Sequence, residues 1–314
     1  MTSHAVALSQ PAAQTERYRE AERAVWDYYG LEPSERFVDI REPAARIRVI
    51  EVGSGPPLFV AHGTFGGGPS IAALAKERPN RRFLLMDRPG FGLSTPIVYR
   101  AETFGTTIAE IQRSVLDGIG VEKVDVVGHS IGAVFALRLA IHHPERVGRV
   151  VLLGAGPVVQ EAGVPAPIRL IGSPLGPLIL RLMRGRRAVG SMIAGSGHGA
   201  ALADGRIPDV ILDWRVSVNR ETDSMQHERA MVRAIVAGPR YRDGVTFSDA
   251  ELAAIRQPTL MVYGTSDSLG DAALWKRVIA TLPDGELAVI NGAGHMVWLD
   301  EPAGVARTME RFLS

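Results

Sequence analysis

The chain has 314 residues, 46 % of them hydrophobic and 22 % charged, so it carries ample material for one large domain or two small ones, and wholesale disorder is excluded. The 35 Lys and Arg against 34 Asp and Glu leave a formal charge of +1, which excludes a strong overall attraction to nucleic acid. There is no cysteine, hence no disulfide framework, thiolate nucleophile or Cys-type zinc site.

Lys76, Lys123 and Lys276 are the only lysines, leaving 32 arginines, which reads as a bias of coding composition. The charge-free stretch from Val52 to Ala75 holds nine Gly or Pro residues and cannot form a spanning helix. Met1 to Pro11 lacks the basic and apolar regions of a signal peptide. The expectation is a cytoplasmic protein without an integral membrane segment.

The first dozen residues read as a tail, and Gln14 to Tyr29 as a helix with Tyr18, Ala21, Val25 and Tyr28 near one face. Arg36–Ile40 and Ala45–Val52 read as an antiparallel pair, since Ile47 and Val49 alternate with Arg46 and Arg48. Six short continuous apolar runs follow: Leu58–Ala61, Phe83–Met86, Val124–Val127, Val150–Leu153, Leu260–Tyr263 and Leu287–Ile290. Each is too short for a helix and flanked by Gly, Pro or charge, as in central strands covered on both faces. Helical patterns at Ser70–Lys76, Thr103–Leu116, Ile131–Ile141, Ala272–Thr281 and Ala303–Phe312 separate most of them. This alternation predicts an α/β fold with an eight-stranded, mostly parallel sheet flanked by helices.

Between Leu153 and Leu260 the rhythm breaks, and patches at Ile168–Leu170, Leu178–Met183, Val210–Val218 and Ser224–Ile235 predict a helical cap. The expected division is a core of residues 1–156 and 245–314, with residues 1–30 as N-terminal tail and helix, and a cap of residues 157–244. Leu170–Met183, with Arg169, Arg181 and Arg184, has the composition of a membrane-surface helix, but Gly172, Pro174, Gly176 and Pro177 interrupt it. A cap wall over an apolar pocket is the preferred reading, with soft lining from Met183, Met192, Trp214 and Met225.

Chemistry concentrates at Gly128-His129-Ser130-Ile131-Gly132, where a strand runs into a helix. A serine on that sharp turn brings residues two positions either side together, so glycines supply the room. Its hydroxyl sits near a helix N-terminus, where backbone N–H groups favour developing negative charge. A serine hydroxyl needs a base and the base an orienting acid. His295 follows the last apolar run, and Asp267 follows Leu260–Tyr263, both in loops at the carboxyl edge of the expected sheet. Asp271 and Asp300 are rival acids further from their strands. After Leu58–Ala61, the loop His62-Gly63-Thr64-Phe65-Gly66-Gly67-Gly68 lets backbone approach a substrate, where an N–H joins that of Ile131 in holding an oxyanion. Without a following Gly-Lys-Ser/Thr it is no phosphate loop, and no spacing of His or carboxylates predicts a metal.

With those residues assembled, the sequence resembles the α/β-hydrolase superfamily, specifically its cap-bearing serine hydrolases. Asp87-Arg88-Pro89-Gly90-Phe91-Gly92-Leu93-Ser94 looks like that family's loop after the fourth strand, His143-Pro144-Glu145-Arg146-Val147 like its entry into the sixth, and His295 with Glu301-Pro302 like its last motif. The similarity runs from about Arg36 to the C-terminus. It implies Ser130 as nucleophile, Asp267 as acid, His295 as base, and the backbone N–H groups of Thr64 and Ile131 as the oxyanion hole, with no cofactor. Ser130 departs from the aspartate used by the family's dehalogenases and epoxide hydrolases. His62, Phe65, His129, Leu178, Met183, His198 and Trp214 are candidate pocket residues. The expected partner is a small, mainly apolar, carbonyl-containing substrate: a carboxylic ester, thioester or lactone cleaved through an acyl-enzyme. Alternatives are carbon–carbon hydrolysis of a diketone-type substrate, a tailoring cyclase or acyl transferase, and a sensor without turnover. The family's carbon–carbon hydrolases often have Asn where this chain has His129.

Overall fold

The apolar runs pair into one sheet in the computed structural model, which describes residues 12–154 and 156–314. Its strands are β1 (Ser34–Arg41), β2 (Ala44–Val52), β3 (Pro57–Ala61), β4 (Arg82–Met86), β5 (Val124–His129), β6 (Val147–Leu153), β9 (Thr259–Gly264) and β10 (Gly285–Ile290), with β7 (Val236–Ala237) and β8 (Arg240–Tyr241) forming a separate hairpin. The order across the sheet is β1-β2-β4-β3-β5-β6-β9-β10. β2 pairs antiparallel with β1 and β4, and the remaining neighbours are parallel. Five of the six continuous runs are buried on both faces; the sixth, Leu287–Ile290 in β10, was expected to be covered likewise but lies at the sheet edge and is only half-buried, with Val289 exposed. β1, at the opposite edge, alternates in its second half, with Val38 and Ile40 inward.

Chain order reverses at β3, because its successor β4 lies on one side and β5 on the other. Such a switch point leaves a crevice at the carboxyl ends of the two strands, where ligands bind in open α/β sheets. The loops after β3 and β5 therefore meet by topology alone.

Helices cover both faces. α1 (Ala12–Tyr29) and α2 (Ala72–Lys76) lie against one apolar cluster, and α3 (Phe104–Gly118) and α4 (Ile131–His142) against the other. In α3 the buried Phe104, Ile108, Ile111 and Val115 recur at helical spacing and form the inward stripe. α4 is buried almost all round, which matches its lack of a polar face. α11 (Asp249–Ala253), α12 (Ala272–Thr281), α13 (Val297–Asp300) and α14 (Pro302–Leu313) complete the layers near the C-terminus. The expected N-terminal tail lies outside the described residues.

Between β6 and β9 the segment is built of α5 (Ala166–Gly172), α6 (Gly176–Leu182), α7 (Arg186–Ile193), α8 (Gly199–Ala203), α9 (Asp209–Glu221) and α10 (Ser224–Ile235), followed by the β7–β8 hairpin. The four helical patches correspond to α5, α6, α9 and α10, whereas α7, α8 and the hairpin have no counterpart in the sequence reading. A kink at Ala194–His198, where Ser196 and Gly197 leave helical geometry and Gly197 has φ 97°, joins α7 to α8. α1 packs on α9, where Arg17 pairs with Glu221 at 2.6 Å. No helix of the described residues is long and apolar enough to cross a membrane.

Candidate active site

Ser130 sits between β5 and α4 with φ 55° and ψ −123°. Among the described residues it and Phe65, with φ 60°, are the non-glycine residues at positive φ, and both line the same cavity. Strain of this kind persists only where the surroundings enforce it, and it clusters at functional sites. The flanking glycines explain how the turn is tolerated. A Cβ on Gly128 would lie 2.4 Å from the Gly132 carbonyl oxygen, and one on Gly132 would lie 2.0 Å from that of Ala61.

His295 follows β10, and its Nδ1 lies 3.0 Å from Asp267 Oδ2. Both side chains are buried. The other oxygen, Asp267 Oδ1, accepts the Leu269 N–H at 2.9 Å, so the carboxylate is held at two points. The rival acids are occupied elsewhere: Asp271 caps α12 by accepting from Ala273 N–H at 2.8 Å, and Asp300 pairs with His198 at 2.6 Å.

The loop bearing His295 is tied down on every side. Ser266 N–H donates to the Ala293 carbonyl, and His295 N–H to that of Ser196, each at 2.9 Å. Asp300 Oδ2 accepts from Gly294 N–H at 2.8 Å, while His198 Nε2 accepts from Met296 N–H at 3.0 Å. Since His198 Nε2 is an acceptor, its proton resides on Nδ1 and is donated to Asp300. His198 is thus fully buried behind the loop and does not line the cavity, correcting its candidacy as a pocket residue.

Arg88 organises the loop after β3. Its backbone N–H donates to His62 Nε2, its Nε to the His62 carbonyl, and its Nη2 to the Gly63 carbonyl and, at 2.6 Å, to Glu228 Oε1 on α10. His62 Nδ1–H, in turn, donates to the Gly63 carbonyl at 2.8 Å. Burial, then the Arg88 charge, pushes the His62 pKa well below the ordinary imidazole range. His62 is a neutral strut of the loop, set apart from the main cavity. Burial, then neighbouring His295, pushes His129 down likewise. Its ring lies 4.8 Å from that of His295, tilted by 54°, and meets Trp298 edge-on at 4.8 Å.

Above Ser130 lies a cavity of about 420 Å³. The core supplies Thr64, Phe65, His129, Ser130, Ile131 and His295; the helical segment supplies Ile168, Met183, Met192, Ile193, Arg215, Met231 and Ile235. Phe65, His129 and Met183 thus reach the cavity. Leu178 does not, because it projects outward from α6 and is 58 % exposed. Trp214 is buried against the glycine loop, where a Cβ on Gly67 would touch its ring at 2.9 Å, and Met225 packs with Ile171 and Leu180. Neither lines the cavity.

Arg215, beside Trp214 on α9, was not singled out in the sequence. It is 6 % exposed, lines the cavity, and its buried Nη1 has no hydrogen-bond partner among the described residues. Burial lowers its pKa to about 10, so it stays cationic at neutral pH. Its sequence surroundings carry no signal beyond a charged position on an amphipathic helix. The described residues contain no cluster of three or more His, Cys, Asp or Glu able to hold a metal.

Residues 58–308 match the model of the alpha/beta hydrolase family. The 2-hydroxy-6-oxononadienedioate/2-hydroxy-6-oxononatrienedioate hydrolase 2 of Pseudomonas putida is 30 % identical over 278 residues, spanning 83 % of this chain and 90 % of that protein. Among solved structures, naproxen esterase of Bacillus subtilis aligns with TM-score 0.73 at 19 % identity, over 97 % of this chain and 100 % of that one. The 2-hydroxy-6-oxo-6-phenylhexa-2,4-dienoate hydrolase of Rhodococcus sp. strain RHA1 aligns with TM-score 0.72 at 18 % identity, over 90 % and 99 %. Fold, switch-point site and family match converge, and the chain belongs to the alpha/beta hydrolase family.

Proposed function

We propose that the protein is a serine hydrolase cleaving a carboxylic ester, thioester or lactone of a small, mainly apolar molecule. The observation that carries the reading is Ser130 on its strained turn, opening with the His295–Asp267 pair onto one largely apolar cavity. In this reading residues 157–244 form the cap and the rest the catalytic core.

Asp267 fixes the His295 proton on Nδ1 and leaves Nε2 free to take the Ser130 proton as Oγ attacks the carbonyl. The oxyanion is held by the backbone N–H groups of Thr64 and Ile131, aided by the N-terminus of α4. His295 returns its proton to the leaving group, the acyl-enzyme forms, and water activated by His295 then releases it. Each buried methylene contributes roughly 0.8 kcal/mol, so selectivity rises with acyl length until the cavity is full.

A second reading, carbon–carbon hydrolysis of a diketone-type substrate, is favoured by one observation. Arg215 places a buried cation in the cavity wall, suited to a carboxylate or an enolate oxygen. Relatives named for such hydrolysis support it. Assaying p-nitrophenyl esters, lactones and dienoate diketones side by side, with product analysis, separates the readings. Turnover of none of them, with no fluorophosphonate adduct on Ser130, would sink both.

A further inference from the structure

The outer surface of the helical segment carries a feature that the cavity does not use. α6 turns one face inward, where Leu180 packs with Ile171 and Met225, and Ile179 and Met183 join them. On the other face Leu175, Leu178 and Leu182 recur at three- and four-residue intervals and are 60, 58 and 70 % exposed. Leu170, near the end of α5, is 47 % exposed. These four are the majority of the seven large hydrophobic side chains exposed among the described residues, gathered within 13 positions. An apolar patch of this kind marks an interaction surface.

Charge along the segment that bears the patch is one-sided. From Ala162 to Ala203 there is no Asp or Glu, but five arginines, in a chain whose formal charge is +1. Arg186 pairs with Asp209 and Asp213 on α9, and Arg184 donates to the Asn219 and Arg220 carbonyls. Arg169, Arg181 and Arg187 are exposed and make no ion pair within the described residues.

We propose that this face, α5 and α6 with the exposed arginines, docks on the surface of an anionic lipid bilayer. The leucines enter the headgroup–acyl boundary, and the arginines pair with lipid phosphates. Exposed apolar side chains on a segment that carries unpaired cations and no carboxylate of its own, the Asp209 and Asp213 carboxylates beside it being taken up by Arg186, match that interface on both counts. A two-fold contact with a second copy fits less well, because it would bring the same arginines face to face. The inner side of the same wall lines the cavity through Ile168 and Met183, so a bilayer-dissolved apolar substrate would lie one helix layer from it. Docking itself rests on none of the chemistry assigned to Ser130.

Flotation of the full chain with vesicles tests this, comparing phosphatidylcholine alone with phosphatidylcholine containing one-third phosphatidylglycerol. The chain is expected to float with the anionic vesicles and to be released by salt. Leu175→Gln with Leu182→Gln should lower the bound fraction about tenfold, and Arg181→Glu with Arg187→Glu should abolish the preference for phosphatidylglycerol. Both double variants should keep the wild-type thermal midpoint, which separates lost docking from lost folding. Failure to float with anionic vesicles, or flotation that survives both double variants, would overturn the proposal. So would a concentration-dependent dimer, seen by light scattering, that the leucine substitutions dissociate.

Discussion

His198 and Asp300 stand 102 residues apart in the chain, yet Nδ1 of one meets Oδ2 of the other at 2.6 Å. Both are buried, and each also receives a backbone N–H from the loop carrying His295, at Met296 and Gly294. The helical segment thereby grips that loop from behind. His198→Ala is expected to lower kcat about 10- to 100-fold with little change in KM, because a small misplacement of the base is costly while the cavity wall is untouched. His198→Asn, which keeps a donor to Asp300, should recover part of the loss. The rate of fluorophosphonate labelling at Ser130 provides an independent check, and an unchanged rate in His198→Ala would refute the positioning role.

Replacing Ser130 or His295 with Ala should cut ester turnover by about 10³-fold or more, and Asp267→Asn should be nearly as severe. Steady-state kinetics on the best substrate of the panel measure this. Full activity in Asp267→Asn would contradict the orienting role given to that carboxylate.

Arg215→Met should weaken binding of a carboxylate-bearing substrate or inhibitor by about 2–3 kcal/mol and leave neutral esters nearly unaffected. Since burial lowers the guanidinium pKa to about 10, anion affinity of the wild type should fall as pH rises through that value. Titration calorimetry with paired acid and amide ligands reads both effects. Equal losses for the two ligands would point to collapse of the cavity instead of a lost charge.

Asp87 makes stability depend on pH. It is fully buried, and burial raises its pKa from 3.8 to about 7, against the opposing pull of Arg48. The folded state therefore holds this proton where the unfolded chain has released it. Its contribution is complete below about pH 4 and lost as pH rises through about 7. Asp87→Asn should flatten the decline in urea midpoint between pH 5 and about 8. An unaltered slope would show that other groups set it.

The Arg88–Glu228 pair ties α10 to the loop after β4, with both side chains buried, and Arg88 in turn holds the loop after β3 through the His62 and Gly63 carbonyls. Glu228→Ala leaves the guanidinium buried and without its counter-charge, and should destabilise by about 3–5 kcal/mol in denaturant unfolding. Arg88 Nη2 also holds the Gly63 carbonyl, so the variant should lower kcat even where it remains folded.

The strands and the Ser130, Asp267 and His295 loops were legible because their signals are local. Continuous apolar runs such as Val124–Val127 describe their own burial, and a loop's place after a strand fixes its edge of the sheet. Residues whose environment is created by distant packing were not. Arg215 reads as a solvated position on α9 until α10 and the core close around it. His198 lies among small residues, and its partner Asp300 arrives only with the last helices. Leu178 fails for a different reason: α6 is apolar on two faces, and nothing in its periodicity distinguishes the cavity wall from the outside. α7 and α8, rich in Gly, Ala and Arg, lack a long apolar stripe, and two-residue strands such as β7 and β8 are too short to show a period.

The placement of α1 has a temporal consequence. Arg17 and Glu221 are 204 residues apart, and Tyr18, Val25 and Trp26 share an apolar cluster with Trp214 and Val218 on α9. On a ribosome α1 emerges long before α9 and waits for the intervening chain before its docking surface exists. Closing so long a loop is an entropic cost that local contacts do not offset, which makes α1 a late arrival on the folding route. Although made before α9, α1 should be among the last helices to acquire protection in pulsed hydrogen exchange, and removing it should speed unfolding more than it slows folding.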